Sequence, residues 1–197
     1  NAFEQSVEIK RRVKVADRVP KPAKSFRNFK SQEGEEVTIT MPFEDPEPLL
    51  YSWDLGDGSD IVNGEDLFEV THVYPDDGEF EVNLTVENVL GKTTTITRKV
   101  VVANLDPEIK PLSEEEQQIS KGETATFSVT AIDPGIVDEI VEFIWNFGDG
   151  SEKLQTKPDG SGNSEATHIY EKKGAFTTRV TAVDDDGGKA KFVFFVK

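Results

Sequence analysis

Apolar and polar residues alternate in short runs along most of this chain. Val37-Thr38-Ile39-Thr40, Phe80 to Val86, Thr93 to Val102, Thr124 to Thr130, Phe176 to Val183 and Ala190 to Val196 alternate or are rich in β-branched residues. A period of two puts successive side chains on opposite faces, so each run predicts a half-buried strand. Turn-forming pairs punctuate them: Asp57-Gly58, Asp77-Gly78, Asp149-Gly150, Asp159-Gly160 and Asp186-Gly187-Gly188. Ser113 to Gln118 begins like a capped helix, but it is too short to propagate far, and a turn is the alternative. Many short strands with frequent turns predict an all-β chain of immunoglobulin-like sandwiches, about seven strands each.

The pattern repeats. Trp53-Asp54-Leu55-Gly56-Asp57-Gly58-Ser59 returns 92 residues later as Trp145-Asn146-Phe147-Gly148-Asp149-Gly150-Ser151. Thr71-His72-Val73-Tyr74 returns 96 residues later as Thr167-His168-Ile169-Tyr170. Each is followed by Gly-x-Phe and an alternating run, beginning at Gly78 and at Gly174. Landmarks matched in the same order indicate duplication, and they divide the chain into sandwiches at 17–103 and 104–197. Ile9 to Ala16 resembles Ile96 to Ala103, the closing run of the first copy. Residues 1–16 therefore read as the closing strand of a preceding repeat, or as an N-terminal extension that pairs with a sheet edge in cis or in trans. The linker, roughly Ala103 to Pro107, is short and contains proline, which predicts a semi-rigid pair.

These residues resemble the PKD domain, first described in polycystin. The resemblance covers residues 17–197 and rests on Trp-Asp-x-Gly-Asp-Gly-Ser, Thr-His-x-Tyr and Gly-x-Phe followed by an alternating strand. It implies an immunoglobulin-like sandwich of cell-surface proteins and of accessory modules in secreted microbial enzymes, with no reaction of its own. Asn146 departs from the usual Asp. Phe80 and Phe176 stand where an aromatic hydroxyl is common, which removes a tyrosine-corner bond at those positions. Asn88-Val89-Leu90-Gly91 replaces the acidic turn that the second copy keeps as Asp184-Asp185-Asp186-Gly187.

Composition narrows the function classes. A net charge of −16 gives no basic footprint for nucleic acid. The nine Lys and Arg between Lys10 and Lys30 read as solvent-facing edge charge, not as an anion-binding surface. The absence of cysteine excludes disulfides and thiolate metal sites. No apolar run approaches the roughly 20 residues of a membrane-spanning helix, and no signal peptide opens the chain. Asn83-Leu84-Thr85 fits a glycosylation sequon whose Asn should face solvent.

The motifs themselves read structurally. In the Gly-Asp-Gly turns, glycine supplies positive φ and Asp54, Asp57 and Asp149 accept backbone N–H bonds. Trp53 and Trp145 are expected to anchor cores, and His72 and His168 to hydrogen-bond within strands. No nucleophile-base constellation is visible, so no enzyme activity is expected. The one candidate for chemistry is a calcium ion, which takes six to eight oxygen ligands, often from loops. In an immunoglobulin-like sandwich the loop before the Trp strand and the loop after the penultimate strand share an end. That geometry gathers Asp133 and Asp138, the Asp184-to-Asp186 turn, and Asn104 and Asp106 of the linker. Some PKD relatives bind calcium from these three places, so the resemblance points the same way. A solvated acidic rim is the alternative. The first copy offers only Asp17, Glu44, Asp45 and Glu47, which makes a site there less expected.

The sequence thus predicts a non-catalytic tandem module of a larger extracellular or cell-surface protein. It would space and present the other domains of the same polypeptide and adhere to a protein or polysaccharide ligand. The alternative is an accessory polymer-binding module of a secreted polysaccharidase or protease; an exposed row of aromatic residues would favour it.

Overall fold

The structure, a computed structural model, describes residues 18–44 and 49–197. The strand expected at residues 9–16, together with Asp17, Asp45 and Glu47, lies outside the described residues.

The first sandwich contains β1 (Phe29–Gln32), β2 (Glu36–Thr40), β3 (Leu49–Asp54), β4 (Val62–Glu65), β5 (Glu69–Val73), β6 (Gly78–Asn88) and β7 (Thr93–Ala103). One sheet runs β1-β7-β6-β3-β4, and β2 pairs with β5 in the other. The second contains β8 (Glu108–Pro111), β9 (Glu116–Gln117), β10 (Thr124–Ile132), β11 (Ile140–Asn146), β12 (Leu154–Thr156), β13 (Asn163–Ile169), β14 (Phe176–Asp184) and β15 (Lys189–Val196). Its sheets run β12-β11-β14-β15-β9 and β13-β10-β8. The two copies share one plan. In each, a short strand joins the closing strand in parallel: β1 on β7, and β9 on β15.

The period-two runs form the strands predicted from them. On β6, Val82, Leu84 and Val86 point into the core, while Asn83 faces outward and accepts a hydrogen bond from Thr97 Oγ1 at 2.6 Å. The helix-like start at Ser113 is not a helix. Glu116-Gln117 instead lies along β15, held by Phe195 N to Glu115 O at 2.8 Å and Lys197 N to Gln117 O at 2.9 Å. An open edge of β15 offers ladder bonds to a segment too short to nucleate a helix.

Trp53 and Trp145 are both 0% exposed and sit between the sheets. Trp53 Nε1 donates to Leu67 O at 2.8 Å, and Trp145 Nε1 to Thr156 Oγ1 at 3.1 Å and Ser164 Oγ at 3.3 Å. Neither ring is available to stack on a sugar.

The duplicated turns are built alike. Gly56 and Gly148 have φ of +81° and +80°, and a Cβ at either would run into the carbonyl of Glu81 or Thr177. Asp57 Oδ1 accepts from Ser59 N, and Asp149 Oδ1 from Ser151 N, each at 3.0 Å. The other carboxylate oxygen meets His72 Nε2 at 2.6 Å or His168 Nε2 at 2.7 Å. A carboxylate only accepts, so that nitrogen carries the proton. Burial pushes Asp57 and Asp149 up, but the bonds from Ser59 and His72, and from Ser151 and His168, outweigh it and hold both below the usual carboxylate range. The Tyr hydroxyls finish each corner: Tyr74 donates to Leu55 O at 3.0 Å, Tyr170 to Phe147 O at 3.2 Å. Phe80 and Phe176 stack on them with centroids 4.4 and 4.6 Å apart. The corner bond that those phenylalanines cannot make comes from the neighbouring tyrosines.

Candidate cation site at the junction of the repeats

The linker leaves β7 at Ala103 and enters β8 at Glu108. At that end of the second sandwich lie the β10–β11 loop and the β14–β15 turn, because Asp184 closes β14 directly opposite Ile140, which opens β11. The facing part of the first sandwich is the turn between β1 and β2, whose backbone bonds Glu33 N to Ala103 O at 3.1 Å and Gly34 N to Tyr74 O at 2.9 Å.

All six candidate ligands lie at this end, in connected groups. Asn104, Asp106 and Asp184 meet around Gly188. Asn104 Nδ2 donates to Asp184 Oδ2 at 3.3 Å, Gly188 N to Asp184 Oδ1 at 2.7 Å, and Lys189 N to Asp106 Oδ1 at 3.0 Å. A Cβ on Gly188 would meet Asp184 Oδ2 and come to 3.0 Å from both Asn104 Nδ2 and Asp106 Oδ1, so these three side chains crowd round the glycine and would have to shift for a larger residue. Asp133 and Asp138 face each other across the β10–β11 loop, where Asp133 Oδ1 accepts from Gly135 N at 2.9 Å. Asp186 is exposed; a carboxylate oxygen of it lies within 4.8 Å of ones on Asp138 and Asp185.

A seventh residue was not foreseen. Glu33, in the β1–β2 turn of the first repeat, is 0% exposed. One of its oxygens accepts a short hydrogen bond from Leu105 N. Its carboxylate lies within 4.8 Å of those of Asp133 and Asp138. Glutamate in a surface turn ordinarily reads as solvated, and no periodicity marks it. Only the comparison of the two copies could have flagged it: Gly34 and Gly122 match in φ and in their bonds to Tyr74 and Tyr170, yet the residue before them is Glu33 in one copy and the exposed Lys121 in the other.

The electrostatics of the cluster are unfavourable for bare carboxylates. Among the described residues, four buried side-chain atoms lack a hydrogen-bond partner: Glu33 Oε2, Asn104 Oδ1, Asp133 Oδ2 and Asp138 Oδ2. All four are acceptors, and all belong to this cluster. Buried acceptors without donors are costly, and a native fold leaves few of them. Ion pairs among the described residues join Lys21 to Glu44, Lys99 to Glu79, Lys110 to Glu108 and Lys197 to Glu116, and none reaches these carboxylates. Burial, followed by the adjoining Glu33 carboxyl and the charge of Asp133, pushes Asp138 up to about 7. Asp133 is raised by burial and then by Asp184, Glu33 and Asp185. Asp186 is raised by burial and by Asp77, Asp185 and Asp76.

The donor set is entirely hard oxygen, carboxylate plus one amide carbonyl, with neither imidazole nor thiolate. It suits a calcium-sized cation and not zinc. Among the described residues, the first repeat shows no counterpart at the matching turn. Asn88 stands where Asp184 does, opposite Leu49 at the close of β6, and its Oδ1 accepts from Leu90 N and Lys92 N, both at 3.0 Å. Its Nδ2 donates to Arg18 O at 2.7 Å. A side chain so fully engaged has no oxygen to offer. Glu44 is exposed beside Lys21.

Two matches to protein-family models, both described as PKD domain, span residues 28–101 and 104–195. The chain belongs to the PKD domain family. Its two PKD domains adjoin at the linker that carries Asn104 and Asp106. Among curated proteins, a microbial collagenase of Vibrio alginolyticus is 36% identical over 81 residues, which is 40% of this chain and 10% of that protein. A collagenase of Bacillus cereus is 32% identical over 53 residues, 27% of this chain and 5% of that protein. The chain thus spans about a tenth or less of the length of these relatives. Among solved structures, the insect immune protein hemolin aligns with 90% of this chain and 46% of its own, at 15% identity and a TM-score of 0.49.

Proposed function

We propose that this PKD pair is a non-catalytic spacer and interaction module of a larger extracellular or cell-surface protein, and that calcium braces it at the second PKD domain. The observation that carries the reading is the set of four buried, unpartnered oxygens where linker, β10–β11 loop and Glu33 converge. Asn104, Asp106, Asp133, Asp138, Asp184 and Asp186 hold the ion together with Glu33. The ion supplies the positive charge that these oxygens otherwise lack. Elsewhere the acidic and imidazole groups that the sequence singles out are consumed in structure: Asp57 with His72 and Asp149 with His168 close turns, and both Trp rings are buried. No helix among the described residues is long and apolar enough to cross a membrane.

Titration of the chelator-treated chain with calcium is expected to show one binding event per chain and a higher melting temperature. A ligand that binds only the native state at 100 times its Kd adds about 2.7 kcal/mol. An unchanged melting temperature and no heat across millimolar calcium would overturn the site.

The collagenase relatives favour a second reading, in which the pair serves as an accessory module of a hydrolase and contacts a protein fibre. Cosedimentation with collagen fibrils at physiological salt tests it. Saturable binding would support a fibre-binding accessory role, and recovery of the chain wholly in the supernatant would leave the spacer role alone.

A further inference from the structure

The cation site draws on both repeats, and this has a consequence for their relative motion. Glu33 belongs to the first repeat. Its backbone is fixed there by the bond to Ala103 O, by the neighbouring Gly34 N to Tyr74 O bond, and by β1, which pairs with β7 through Gln32 opposite Ala103. Its side chain crosses the junction. One oxygen takes Leu105 N of the linker, and the other, buried and unpartnered, faces Asp133 and Asp138 of the second repeat.

The side chain of Ile136 lies over Gly34, but Ile136 remains 60% exposed. Acidic groups face one another across the junction. Glu33, Asp76 and Asp77 stand on the first repeat; Asp133, Asp138, Asp184, Asp185 and Asp186 stand on the second. Carboxylate oxygens of Asp76, Asp77 and Asp186 come within 4.8 Å of one another across it. Carboxylates at such distances repel, and partial burial screens them less than open water would. The second repeat, at the position matching Glu33, carries Lys121, exposed and turned to solvent.

We propose that calcium clamps the two PKD domains into one rigid body, with Glu33 as the ligand that the first repeat contributes, and that calcium removal frees the linker to bend. The proposal rests on the calcium reading above and assigns it a regulatory output: the pair changes from a jointed to a stiff spacer with the calcium concentration around it.

The chain has no cysteine, so two introduced thiols label it uniquely. Leu90→Cys, at the tip of the β6–β7 hairpin, and Lys173→Cys, in the β13–β14 loop, are both exposed and lie at the poles away from the junction. Pulsed electron-electron spin resonance between them is to be recorded with calcium and with chelator, alongside calorimetry on the same protein. The expected result is one narrow distance distribution in calcium and a broad one in chelator. Glu33→Gln keeps the shape and an acceptor for Leu105 N. It is expected to weaken calcium binding at least about tenfold, the loss typical of disturbing a group that supports a metal, and to leave the distribution broad when calcium is bound. Calcium binding with identical distributions in both conditions overturns the clamp and leaves the site standing. Narrowing in Glu33→Gln equal to that of the unsubstituted chain overturns the role of Glu33. No calcium binding overturns the underlying site and the clamp with it.

Discussion

Trp145→Ala is expected to destabilise the second PKD domain by about 3–5 kcal/mol, the usual result of emptying a buried aromatic site. The ring is 0% exposed and lies near Phe127 and Phe194, with centroids 6.5 and 6.4 Å away. Its loss opens a cavity between two sheets, each stiffened by its own strand ladder, so collapse is limited. At about 4–8 °C per kcal/mol for a domain of this size, the melting transition should fall by more than about 10 °C. Trp145→Phe keeps most of the volume and loses the Nε1 donor. Thr156 Oγ1 and Ser164 Oγ remain bonded to each other at 2.6 Å, so neither is stranded, and the cost should be markedly smaller. Differential scanning calorimetry of both variants separates packing from hydrogen bonding. A transition in Trp145→Ala that stays within a few degrees of the unsubstituted chain would contradict the core assignment. The sheltered position of the ring is also why a polymer-binding role, if present, must use another surface.

The sheets and turns could be read from the sequence because they follow local rules. Period-two alternation at Phe80 to Val86 and β-branched content at Thr93 to Val102 became β6 and β7, and the Asp-Gly pairs became turns with positive φ at Gly58, Gly150 and Gly187. The candidate ligands could be read because topology fixes which loops share an end of a sandwich, and Asp133, Asp138 and Asp184 lie where that rule puts them. What escaped was non-local. Glu116-Gln117 becomes a strand only because β15 presents an edge to it. Glu33 is buried where the linker and the β10–β11 loop meet the β1–β2 turn, and neither propensity nor pattern encodes such neighbours. The His72–Asp57 and His168–Asp149 pairs lie between these cases. The histidines announced a hydrogen-bonding task, and the partner became visible only once β5 and β13 lay beside the turns after β3 and β11.

Asp138→Asn is expected to reverse its sign of effect with calcium. Asp138 sits at about 7, raised first by burial and then by Glu33 and Asp133, so the fold disfavours its ionised form. Between the ordinary carboxylate value and about 7 the native state binds more protons than the unfolded chain does. Without calcium, therefore, this group makes stability fall as pH rises through that interval, and the penalty is fully present at pH 8. Asparagine removes the charge and offers an N–H donor to the unpartnered oxygen of Glu33 or Asp133. In chelator at pH 8 the variant should therefore melt above the unsubstituted chain. In calcium the order should invert. The unsubstituted chain gains about 2.7 kcal/mol at 100 times its Kd, whereas the variant has lost a charged ligand and gains far less. Protons and calcium compete for the same oxygens, so the benefit of calcium should also grow between pH 5 and pH 8. A merely solvated acidic rim gives a different result: Asp138→Asn would raise the melting temperature equally with and without calcium, because relief of repulsion would be its only effect. Melting curves of the two proteins in chelator and in millimolar calcium decide between these outcomes, and crossing of the order is the signature of a carboxylate that is a burden to the empty fold and a ligand to the loaded one.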